Sequence, residues 1–314
     1  MSNLVLSLNI SMPVFLLILF GYILKKKGIV NDDYLSITTK IVFFCALPAK
    51  IFRDVSSSDF YSLINAKFIF FTMGITILFF ILVWGLAVIF IKDRSKIGAF
   101  VHGVFRSNYV YVGLPLTHNI LGSDYIPSTI LIITFVIPIY NILAVILLSY
   151  YNSKKGKISV KKLVIDIFKN PMIIAILIAI PFSILQVKLP FAITKSMDYI
   201  GSIATPLALI LIGASMKFNS FMDNKKYIIT ASILKVIIQP LLFIPVAILL
   251  GFSTEEVYTI YVMLAVPTAM NSYIMTKQLG GDGELSAGII VSSVIFSFFT
   301  IPIGVFVLRM ILGA

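Results

Sequence analysis

HGVFRSNYVYVGLPLTHNILG, residues 102–122, is the stretch whose reading decides the fold. It lies inside a hydrophobic span, yet it carries Arg106, Asn108, a Gly113-Leu114-Pro115 step, His118 and Asn119. In a bilayer each such group is costly unless it faces a cavity or a partner. Pro115 lacks a backbone donor and its ring clashes with the carbonyl four residues back, so the helix is expected to break near Val112–Gly113. A broken helix at membrane depth is tolerated where it lines a protein cavity, and solute sites are built that way.

The second half of the chain holds a counterpart. Pro267 to Asn271 reads PTAMN, and Pro115 to Asn119 reads PLTHN. Both spans place an asparagine four residues after a mid-span proline. Ordinary proline kinks would leave the same trace. The alternative is one broken helix in each of two repeats, crossing at a site.

Composition sets the class. Residues are 59% apolar and 12% charged, with a mean hydropathy of +1.05. Soluble domains run near 45–50% apolar and 25% charged. The 314 residues leave room for about ten helices of ~20 residues. The apolar runs are continuous rather than alternating, which argues against a barrel. The single cysteine, Cys45, lies in a span and leaves no disulfide framework. The net charge of +12 sits in short loops, where it signals topology rather than nucleic acid.

Ten spans are expected: about 4–24, 34–52, 67–91, 97–121, 126–151, 171–187, 194–216, 227–250, 257–278 and 285–312. No positive charge precedes the first span and Lys25, Lys26 and Lys27 follow it, the reverse of a signal peptide. Residues 152–169 form a lysine-rich connector, in which 160–168 can form an interfacial amphipathic helix. It divides a first five-helix repeat (1–151) from a second (170–314). Adding 158 takes Pro13 to Pro171, Pro48 to Pro206 and Lys40 to Asp198; adding 152 takes Pro115 to Pro267 and Asn119 to Asn271.

The loops after spans one, three, five, seven and nine hold 16 basic residues, among them Lys92, Arg94, Lys96, Lys217, Lys225, Lys226 and Lys277. The other side holds five: Arg53, Lys67, Lys188, Lys195 and Arg309. The positive-inside rule places both termini outside the cytoplasm. Halves with an odd number of spans are then inverted relative to each other, an architecture of secondary transporters.

At this point the residues resemble a known family. RSNYVYVGLPLTHNILG at 106–122, IPIYNILAVILL at 137–148, TPLALILIGASM at 205–216 and the proline-broken ninth span are similar to the auxin efflux carriers, a family of plant auxin exporters and bacterial permeases assigned to malate or malonate. The resemblance covers nearly the whole chain. It implies an all-α polytopic protein with ten helices in two inverted five-helix repeats, of the bile-acid-transporter type of fold. Two helices of each repeat form a scaffold and three form a transport domain. Broken helices four and nine cross beside the substrate. Carried over by position, Asn108 meets substrate, and Pro115 and Pro267 are the crossover prolines. The sequence departs from the plant members in its short connector and around Asn271. The resemblance also carries the expectation of a homodimer.

Several residues have chemistry to offer. Arg106 is permanently charged and its fork suits a carboxylate; it can also snorkel to the interface. Asn108 and Asn141 supply neutral amide donors, and broken-helix N-termini add unpaired N–H groups. Asn119 and Asn271 follow the two breaks. His118 can titrate and so couple transport to protons, or sit at an interface. Lys40 and Asp198 either pair or lie near opposite interfaces. Lys235 is deep in the eighth span and needs a partner: a substrate anion, a carbonyl or water.

Acids elsewhere read as loop or interface, which argues against a cation–proton exchanger and weakens a sodium-coupled carrier of the bile-acid type. No nucleotide loop, metal-ligand spacing or nucleophile–base pair stands out, so no enzyme, cofactor or metal is expected. The expected activity is secondary transport of a small carboxylate, a dicarboxylate or an auxin-like acid, across the plasma membrane by an elevator-like movement. A non-transporting receptor or assembly subunit is the alternative from another class.

Overall fold

The computed structural model describes residues 3–57, 65–122, 126–151, 171–216 and 224–312. Twelve helical segments account for nearly all of them: α1 (Asn3–Lys26), α2 (Asp32–Ser56), α3 (Ala66–Phe90), α4 (Arg94–Phe105), α5 (109–121), α6 (126–151), α7 (Pro171–Ile184), α8 (Phe191–Ala214), α9 (Lys225–Leu249), α10 (Thr254–Ala265), α11 (Asn271–Gln278) and α12 (Gly283–Leu312). The described residues contain no strand; one isolated antiparallel bridge joins Ser107 to Thr268. The lysine-rich connector and its expected amphipathic helix lie outside the described residues, as does Lys217.

Six helices are long and apolar enough to cross a membrane: α2, α3, 128–151 of α6, α8, α9 and α12. Their outward faces have the character of a bilayer surface. In α3 the buried residues Phe68, Thr72, Ile75, Thr76, Phe79, Phe80, Val83 and Ala87 recur at helical spacing, and they include both threonines. The opposite face carries Phe70, Ile81, Ile89 and Phe90, with Phe90 74% exposed. Water would reverse that arrangement; lipid permits it, because hydrocarbon is as apolar as the packed interior. The protein is a multi-pass membrane protein.

Local signals start the helices as their chemistry requires. Asn31 accepts the Tyr34 N–H at 2.8 Å, and Asn65 accepts the Phe68 N–H at 3.0 Å. Ser253 and Glu256 form a reciprocal capping box at α10. Each cap satisfies donors that a helix start leaves open.

Proline acts differently from the expectation of a break. Four π-turns, Val42–Ala46, Tyr109–Gly113, Ile132–Val136 and Leu234–Ile238, each end two residues before a proline: Pro48, Pro115, Pro138 and Pro240. In each case the residue before the proline donates to the carbonyl five residues back. One extra residue per turn moves the obstructing carbonyl away from the proline ring, and the helix continues. The break expected at Val112–Gly113 is therefore misplaced. The chain opens earlier, at 106–108, where α4 ends and Arg106 turns extended. The break at Pro267 stands where expected, across 266–270.

Two hydrophobic clusters form. The larger draws on α1, α3, α4, α5, α6, α9, α10 and α12, with Leu209 and Ile212 of α8. The smaller draws on α2, α7 and α8, with Leu114, Ile130 and Ile133 packed against it. Helix α1 ties the two, packing on both α8 and α12. The α1–α8 contact depends on glycine. A Cβ on Gly213 would fall on the Ile18 carbonyl, and one on Gly21 on the Ile210 carbonyl. Gly213→Ala must push the helices apart, at a cost of about 1–3 kcal/mol. We expect a lower thermal unfolding midpoint in detergent, while Gly74→Ala, which meets nothing within 4 Å, loses none.

Candidate functional site

The site is built where the two opened helices cross. Asn108 N–H donates to the Pro267 carbonyl at 2.9 Å. The Thr268 hydroxyl donates to the Gly103 carbonyl at 2.6 Å, and the Thr268 N–H donates to Ser293 Oγ at 3.1 Å. Opening α4 leaves the Gly103 carbonyl without its helical donor, and the Thr268 hydroxyl of the second break supplies one. Each break thus closes part of the other's hydrogen-bond deficit.

A cavity of about 260 Å³ lies beside this crossing. Arg106, Ser107, Asn108, Val110 and Tyr111 line it from the first break, and Ala269, Met270 and Asn271 from the second. Ile137, Tyr140 and Asn141 of α6 close one side; Phe43 and Phe44 of α2 and Pro171 and Met172 of α7 face them from the smaller cluster. The cavity therefore sits on the seam between the two clusters. The starts of α5 and α11 border it, so two helix N-termini present positive dipole ends there.

Arg106 does not snorkel to an interface: it is only 4% exposed. Its Nη2 donates to Asn141 Oδ1 at 2.7 Å, and its Nη1 lies 3.3 Å from the Met275 sulfur. Among the described residues no carboxylate pairs with it. Asn141 is thus an orienting partner for the guanidinium as well as a wall of the cavity. Asn108 is 3% exposed and its Nδ2 donates to nothing in the protein. A buried amide N–H without an acceptor is costly and fits a group that meets a ligand.

The expected site residues divide. Arg106, Asn108, Asn141 and Asn271 share the cavity. Pro267 contributes its carbonyl behind it, and Pro115 is buried in α5 below the π-turn. Asn119 and His118 are exposed at the far end of α5, about 15 Å along the axis from Asn108 at 1.5 Å per residue. His118 instead lines a second pocket of about 400 Å³ with Lys50, Arg53, Asp54 and Asp198. Asp198 pairs there with Arg53 at 3.2 Å rather than with Lys40. Lys235 is fully buried and donates to the Leu264 carbonyl and to Gln239 Oε1, both at 2.9 Å.

Sequence reasoning missed Thr268 and Ser293, whose hydroxyls look ordinary in membrane helices, and Phe43 and Phe44, whose place is set by packing alone. A threonine directly after a mid-span proline is the one signal that could have drawn attention to Thr268. Gly113 also matters more than its place before a proline suggests: a Cβ there would meet the Tyr109 ring.

Bilayer-length apolar helices around a polar cavity, with that cavity at two crossed helix breaks, define a membrane transport protein. The family described as "Membrane transport protein" matches residues 8–305, and the chain belongs to it, the family of the auxin efflux carriers. An uncharacterized transporter of Methanocaldococcus jannaschii is 25% identical over 91% of this chain and 92% of its own length. A Rhizobium meliloti protein named "Putative malonate transporter" is 24% identical over 92% of each. An uncharacterized transporter of Escherichia coli K12 is 21% identical over 96% of this chain and 97% of its own.

The cross-repeat cap is open to a direct test. Thr268→Val keeps the shape but leaves the Gly103 carbonyl without a donor, at a cost of about 1–3 kcal/mol. We expect a lower thermal midpoint for Thr268→Val and recovery of most of the loss in Thr268→Ser.

Proposed function

We propose that this protein is a secondary transporter of a small organic anion, a dicarboxylate or an auxin-like carboxylate, across the plasma membrane. The observation that carries the reading is the Asn108 Nδ2, buried and without an acceptor, on a cavity beside a guanidinium that no carboxylate among the described residues neutralises. A carboxylate satisfies both: its oxygens accept from the amide and the helix N-termini, and its charge offsets Arg106. Malonate is the substrate in the name of the Rhizobium relative, and a three-carbon diacid is small against about 260 Å³. The aromatic walls Phe43, Phe44 and Tyr111 suit a ringed acid as well.

The cavity's place on the seam of two clusters supports an elevator-like cycle. In this reading ten spans form two inverted five-helix repeats, 1–151 and 170–314, joined by the connector at 152–169. Helices α2, α7 and α8, with α1 packed tightly on α8, stay with the membrane or a second copy of the chain, and the rest of the larger cluster slides past them. Both termini lie outside the cytoplasm. Asn108 and Arg106 bind the anion, Asn141 holds the guanidinium, and Asn271 closes the opposite wall. Coupling to protons through His118 would act from the second pocket rather than at the anion.

Uptake of labelled malonate, malate and indole-3-acetate into proteoliposomes tests the reading. Asn108→Ala is expected to slow saturable uptake by about 10-fold or more, as loss of a hydrogen bond to a charged group does, while Asn119→Ala keeps the wild-type rate. Equal rates for Asn108→Ala and wild type would place the site elsewhere. If a pH gradient drives uptake, His118→Gln should abolish that dependence and spare downhill exchange; retained dependence removes His118 from coupling.

A further inference from the structure

Lys235 is the buried charge that anion binding does not use. It lies on the π-turn Leu234–Ile238 of α9 and is 0% exposed. Its Nζ bridges two neutral oxygens, Gln239 Oε1 one turn along and the Leu264 carbonyl across the helix boundary. The second acceptor exists because α10 stops. In an unbroken helix the Leu264 carbonyl would take the Thr268 N–H, but that donor is spent on Ser293 Oγ. Among the described residues no aspartate or glutamate is buried, so none of them balances the ammonium.

A monovalent cation held by a helix-end carbonyl and an amide oxygen, at the negative end of a helix dipole, is the arrangement an alkali-metal ion takes at a broken membrane helix. We propose that the Lys235 ammonium is a resident cation of the crossing: it stands where a soluble ion would otherwise bind, and substrate movement therefore draws on no sodium. The covalent tether keeps the cation in place whether or not the neighbouring cavity is filled. This inference rests on the transport reading for its consequence in the cycle, but the cation site itself does not.

The experiment uses the purified full chain, wild type and Lys235→Ala, in sodium, potassium, methylammonium or choline chloride. Malonate uptake by the wild type should be the same in all four. Lys235→Ala should be slowed about 10-fold or more in choline and largely restored by sodium or methylammonium, which refill the vacated oxygen-lined space. Sodium should also raise the thermal midpoint of Lys235→Ala and leave the wild type unmoved. Three results would overturn the proposal: wild-type uptake that requires sodium, a Lys235→Ala variant at full rate in choline, or a folded Lys235→Ala that no cation restores or stabilises. If the wild type moves no acid at all, the transport reading fails, and the thermal comparison alone decides the cation site. Should Lys235→Ala fold in no salt, Gln239→Ala carries the test: uptake slowed about 10-fold supports the proposal and an unchanged rate sinks it.

Discussion

Opening a helix inside hydrocarbon strands backbone donors and acceptors that no water can reach. The structure meets that constraint by opening two helices against each other. The Gly103 carbonyl is served by Thr268 and the Pro267 carbonyl by the Asn108 N–H. The Thr268 N–H and the Leu264 carbonyl, freed by the second break, go to Ser293 and Lys235. Neither break would be stable alone, because half of its partners belong to the other. The position of the cavity follows from this reciprocity. It lies where the chain has had to leave helical geometry, and its Asn108 amide and Arg106 guanidinium project from those non-helical residues.

The same reciprocity explains why the site can be positive without collapsing. A buried guanidinium with a carboxylate partner would be a closed ion pair, of little use to an incoming anion. Arg106 leans on a neutral amide, Asn141, which fixes its plane and leaves its charge unspent. Across the seam, α2 and α7 offer phenyl rings, a proline and a methionine, so every polar group that lines the cavity from one side faces an apolar wall on the other. Such a wall can slide without breaking hydrogen bonds, a physical basis for the relative motion proposed above.

Much of this is legible in the sequence, and unevenly so. The membrane class came from composition, and Arg106, Asn108 and Asn141 stood out because a polar group in an apolar run needs a reason. Helix ends fell within a few residues of the expected spans for α3, α6 and α12. Residue types alone place the first break just before Pro115, whereas a π-turn lets the helix absorb that proline. His118 sounded central on its position in the span, but the early opening at 106–108 leaves it near the end of α5. Lys235 with Gln239 is an i, i+4 pair visible in the sequence; its other acceptor, a carbonyl released by a break, could not be read from residue types.

The buried charge of the larger cluster has an electrical side. Arg106 and Lys235 are both enclosed in it, and among the described residues no buried acid offsets them. In an elevator cycle these two charges would travel with the site, so the empty carrier would be a voltage-sensitive object. Each elementary charge that crosses the full field is worth about 2.3 kcal/mol per 100 mV. A dianion would cancel both charges and make the loaded crossing nearly electroneutral, while a monoanion would leave one behind. The valence of the cargo would then decide which half of the cycle the membrane potential drives, with no coupling ion needed to set direction.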